Sequence, residues 1–66
     1  MDFPITGRII RVGPNRHFAF VRPTGGGENA FIPCGLVGNL EAGDMIRYTT
    51  IEGSRGPRVQ WLETVA

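Results

Sequence analysis

Ten glycines and five prolines break this 66-residue chain at such short intervals that no window sustains a helical apolar repeat for three turns. Strands need less uninterrupted sequence, and the segments between the breaks read as strands. Ile5 to Val12 is the first, closed by Gly13-Pro14-Asn15. His17 to Arg22 is the second, closed by Pro23-Thr24-Gly25-Gly26-Gly27. Asn29 to Ile32 is the third, and Pro33 ends it or places it at an edge. Met45 to Glu52 and Arg58 to Thr64 are the fourth and fifth, joined through Gly53-Ser54-Arg55-Gly56-Pro57. A glycine-rich connector, Cys34 to Asp44, carries Leu36, Val37 and Leu40 and has room for one short helical turn. Five short strands with one long connector after the third predict an all-β fold. The expected architecture is a five-stranded antiparallel Greek-key barrel, the OB-fold, forming one domain over residues 1–66.

A chain this short lies near the lower limit for folding without help. The single Cys34 has no internal disulfide partner, and no His/Cys cluster offers a structural metal. Stability must come from one apolar core, and a closed sheet serves it well because closure removes exposed strand edges. No cofactor is expected. Met1-Asp2-Phe3-Pro4 shows no leader pattern, and no apolar run is long enough to span a bilayer. With one unpaired cysteine, a cytoplasmic setting away from membranes is expected.

Alternation assigns the faces. In the second strand Phe18 and Phe20 share one side with Arg16 and Arg22, while Ala19 and Val21 occupy the other. In the third, Phe31 stands opposite in sense to Ala30 and Ile32. A small barrel has only one interior face, so Ala19, Val21, Ala30 and Ile32 fill it and the phenylalanines face out. Aromatics among arginines suit stacked bases and a phosphate backbone.

The net charge is only +1, which argues against a chain that coats DNA by charge alone, but all seven basic residues are arginine. Arginine supplies planar stacking and a bidentate fork for phosphate. A GC-rich genome would enrich the same residue, and the composition leaves both explanations open.

In order along the chain, these segments resemble a cold-shock domain from Gly7 to Leu62. Arg16-His17-Phe18-Ala19-Phe20-Val21 is similar to that family's K-G-[FY]-G-F-I motif, and Ala30-Phe31-Ile32-Pro33-Cys34 matches V-F-V-H-F in part. Leu40-Glu41-Ala42-Gly43-Asp44 resembles its L-x-x-G-[QD] turn, and Gly53-Ser54-Arg55-Gly56-Pro57 its G-[NS]-x-G-P loop. Gly7-Arg8-Ile9-Ile10-Arg11-Val12 stands where the family has G-x-V-K-W-F. The resemblance implies a binding face on the first three strands, bases stacked on exposed aromatics, a role in RNA chaperoning or transcription, and no catalysis.

The chain also departs from that pattern. Arg11 replaces the first-strand tryptophan, Pro33 and Cys34 replace the histidine and second phenylalanine, and the connector is shorter and lacks phenylalanine. Phe18, Phe20 and Phe31 are what remains of the aromatic platform. Arg11 can stack on a base and pair with a phosphate at once, and Arg8, Arg16, Arg22, Arg55 and Arg58 frame the same groove. Weak binding of single-stranded RNA or DNA, with little base selectivity, is the expected outcome.

Other features have plainer readings. His17 is expected to pack or hydrogen-bond at a strand edge, and Cys34 to act as a small apolar residue. Gly25-Gly26-Gly27 lacks the Lys-Ser/Thr and the helix of a phosphate loop and reads as a hairpin. The carboxylates are scattered and no nucleophile has an evident His/Asp partner, so no enzyme is expected. Trp61 either caps the barrel or belongs to a protein interface, where tryptophan is enriched. The second option supports a rival reading: a barrel that has lost nucleic acid and docks on a protein partner or on a second copy.

Overall fold

The apolar residues at alternate positions of the strands converge on one interior, and the sheet closes around them. In a computed structural model describing residues 4–65, β1 (Ile5–Val12), β2 (Phe18–Pro23), β3 (Ala30–Pro33), β4 (Met45–Gly53) and β5 (Gly56–Thr64) form a closed barrel. Its strand order is β1-β2-β3-β5-β4. Met1, Asp2 and Phe3, within the stretch read as lacking a leader pattern, and Ala66 lie outside the described residues.

The sheet is mixed, not wholly antiparallel. β1 pairs antiparallel with β2 and β4, as do β2 with β3 and β4 with β5. β3 and β5, however, run parallel where Phe31 meets Arg58. The long connector is the reason: it carries the chain across before β4, so β5 returns in the direction of β3.

The interior consists of lateral rows. Ile9, Val21 and Ala30 form one, and Val12, Ala19 and Ile32 the next. Ile46, Tyr48 and Val59 join them from β4 and β5, and no polar or charged residue is buried among those described. Gly7 lies where a Cβ would come within 2.7 Å of the Arg22 carbonyl and Val21, so β1 and β2 approach without a side chain between them. A single helical turn, α1 (Cys34–Val37), lowers Val37 into the core, and Leu40 follows from the connector. The connector ends against β1, where Gly43 N–H donates to the Ile9 carbonyl at 2.7 Å and Ile9 N–H to the Asp44 carbonyl at 2.8 Å.

Two β-bulges change which side chains face outward. On β1, Ile9 faces Val21 but Arg11 faces Phe20, so Ile10 is the extra residue. On β5, Val59 faces Thr50 and Trp61 faces Thr49, so Gln60 is extra. Past this bulge Leu62 turns toward the core and Trp61 turns out, 43% exposed. Trp61 therefore does not cap the barrel. Strict alternation would have paired it with Val59 on the inner face. Among the described residues, no helix is long and apolar enough to cross a membrane.

Candidate nucleic-acid interface

Because β1, β2, β3 and β5 are neighbours, their registers align one outward residue from each. Arg11 faces Phe20, Phe20 faces Phe31, and Phe31 faces Arg58. Ile51 on β4 extends the row beyond Arg58. The order Arg-Phe-Phe-Arg spans three inter-strand steps, about 14 Å.

Phe18 lies two residues before Phe20 on the same face and completes a ring cluster. Phe18 and Phe31 are close to parallel, 20° between planes with centroids 6.3 Å apart. Phe20 meets both edge-on, at 5.7 and 5.8 Å. Such edge-to-face contacts hold aromatic rings in place. Phe31 is 38% exposed, and Phe18 and Phe20 are half-buried by their neighbours. Gly13 seats Phe18: a Cβ there would come within 2.5 Å of the ring. The Gly13 N–H also donates to the Phe18 carbonyl at 2.8 Å.

The turn between β4 and β5 rises beside the rings. Together with Arg58 and the three phenylalanines, the Gly53–Pro57 segment lines an open cleft of about 610 Å³. Arg55 sits at its tip. The sequence marks this segment as a glycine–proline turn, but its place beside the rings depends on the parallel β3–β5 contact, which local patterning does not reveal. Gly13 carried no signal beyond being one more turn glycine.

The arginines divide into two groups. Arg47 Nε lies 3.3 Å from Glu63 Oε2, on the outer face of β4 and β5. Arg16 was expected to continue the β2 face, but it lies in the 3₁₀ turn Pro14–Arg16 with φ of 57°, following Asn15 at 56°. Its guanidinium bridges the Leu40 carbonyl and the Glu41 carboxylate, so it fastens the connector. Arg8, Arg11, Arg22, Arg55 and Arg58 make no ion pair with a carboxylate among the described residues. Arg8 and Arg22 stand directly opposite one another across β1 and β2, and Arg8 Nε rests 3.4 Å from Met45 Sδ. Among the described residues, the arginines without a carboxylate partner thus lie on the strands and the turn that carry the aromatic row.

His17 is exposed rather than packed at a strand edge, and Cys34 is a free, exposed cysteine. No group of three or more His, Cys, Asp or Glu capable of holding a metal occurs among the described residues. No model of a known protein family matches the chain, and no curated protein matches it either.

Proposed function

We propose that this barrel binds single-stranded RNA or DNA on the face centred on Phe20 and Phe31. The observation that carries this reading is the row Arg11–Phe20–Phe31–Arg58, a stacking surface with, at each end, a cation that makes no ion pair among the described residues. Bases stack on the rings, and arginine forks hold the phosphates. Arg8 and Arg22 support it independently. Like charges placed directly opposite on adjacent strands are unfavourable alone, and a phosphate lying between them removes the repulsion. Arg55 contributes from the rim.

Strand order β1-β2-β3-β5-β4 with closure between β1 and β4 fits the Greek-key OB architecture. Together with the motif order, it supports kinship with cold-shock domains and a role as an RNA chaperone or transcription regulator. Replacing Phe20 and Phe31 together with leucine tests the reading. Leucine keeps the apolar cover but removes both stacking faces, so oligonucleotide affinity falls at least tenfold while the thermal midpoint moves only a few degrees. Unchanged affinity per folded molecule would exclude this face.

One observation favours a second reading. Trp61 and Ile51, 43% and 46% exposed, lie in adjacent rows on the outer face of β4 and β5. That patch suits a protein partner or a second copy of the chain. A concentration-dependent sedimentation coefficient, abolished by Trp61→Ala, would support association there.

A further inference from the structure

We infer that the site takes a short segment of single strand, three nucleotides long, and that its limits are built into the row; this rests on the nucleic-acid reading above. The first limit is the number of ring faces. Phe18 and Phe31 are near-parallel and share an orientation, whereas Phe20 stands at about 70° to both. Two bases therefore stack in the same sense, and a third must turn to meet Phe20.

The second limit lies at the ends. On the β1 side the row stops at Arg11, and the next outward position, Ile10, is the bulged aliphatic residue. On the β5 side the last cation is Arg58, beside the Gly53–Pro57 turn, and the next residue of the row, Ile51 on β4, is aliphatic. Each end offers a guanidinium for a phosphate and no ring for a further base.

The third limit is that no further phenylalanine, tyrosine or tryptophan among the described residues joins the ring cluster. Tyr48 is buried in the core. Trp61 stands in the outward row next to Arg58 and Ile51, past the Gln60 bulge, and neither touches the phenylalanine rings nor lines the cleft. OB-folds that follow a strand over a long groove occupy roughly 4–16 nucleotides. A row only about 14 Å wide, closed by a charge at each end, holds fewer.

Oligothymidylates of one to seven nucleotides, and the matching oligouridylates, test the inference when titrated into the intact protein at low salt. Affinity is expected to rise roughly tenfold per nucleotide up to three, as each base gains a stacking contact. From three to seven it should rise only by about fivefold, the statistical gain from five overlapping positions for a trinucleotide footprint on a heptamer. The chain has one tryptophan, so Trp61 fluorescence provides a second readout. It should stay unchanged at every length.

A steady gain of tenfold or more per nucleotide through six or seven would overturn the short footprint while leaving the binding face intact. So would quenching of Trp61 by the longer strands alone. Binding at no length would overturn the nucleic-acid reading itself, and the footprint with it.

Discussion

Arg11 faces Phe20 directly across β1 and β2 because Ile10 is bulged out of the ladder between them. Ile9, two residues earlier, points into the core at 1% exposure. Without the extra residue Arg11 would share the inward phase of Ile9, and a guanidinium would enter an apolar interior at severe cost. The bulge moves it instead to the end of the aromatic row.

Salt dependence separates the two groups of arginines. Each phosphate neutralised on a single strand contributes about −0.7 to the slope of log affinity against log salt. Arg11→Gln and Arg58→Gln should each reduce the slope by about that amount. Arg47→Gln should leave it unchanged, because Arg47 is paired with Glu63 away from the rings. Equal effects from all three substitutions, measured by fluorescence anisotropy across a salt series, would contradict the assignment.

The Arg16 bridge makes a different prediction. Its ion pair with Glu41 is well exposed, 44% and 67% for the two side chains, so the pair contributes less than about 1 kcal/mol. Glu41→Gln should lower the thermal midpoint by only a few degrees. Arg16→Ala also strips the donor from the part-buried Leu40 carbonyl, and its drop should be the larger. Neither change should alter the salt slope of binding.

Gly13→Ala isolates the seat of Phe18. Its φ of −72° is accessible to alanine, so the backbone gains no strain, but a Cβ would meet the ring at 2.5 Å. The ring must swing aside. Affinity should fall several-fold with a midpoint within a few degrees of wild type, and the Phe18 ring resonances should move. Unperturbed resonances would mean that Gly13 does not support the platform.

Tyr48 ties stability to alkaline pH. Burial pushes its phenol above the usual value near 10 because the phenolate would have to be desolvated. The neutral form is therefore favoured in the folded barrel. Its contribution is complete below about pH 10, where the unfolded side chain starts to ionise, and is lost as pH rises through the higher folded value. Urea midpoints should decline above pH 10 for the native chain and stay flatter for Tyr48→Phe. Parallel curves would contradict this.

Fold and face differed in how far local pattern revealed them. Glycine and proline spacing located every strand to within two residues, and alternation in Phe18–Val21 and Ala30–Ile32 placed each ring outside and each small aliphatic inside. Those signals are local and survive in one dimension. The parallel contact of Phe31 with Arg58 is not local: it depends on how the connector crosses the barrel. Alternation carried back from Phe18 sets Arg16 on the ring face, whereas Asn15 and Arg16 adopt left-handed conformations that break the strand before His17. Trp61 was ambiguous for a related reason. A single bulged residue, Gln60, reverses the phase of everything after it, and the only trace in the sequence is that Val59 and Leu62 lie three apart.

The most direct test of the binding face is an amide-resolved NMR titration with mixed-sequence single-stranded DNA and RNA heptamers, at low and at moderate salt. Shifts should cluster at Arg11, Phe18, Phe20, Phe31 and Arg58, with affinity falling as salt rises. Silence along that row at low salt, with or without shifts elsewhere, would contradict it.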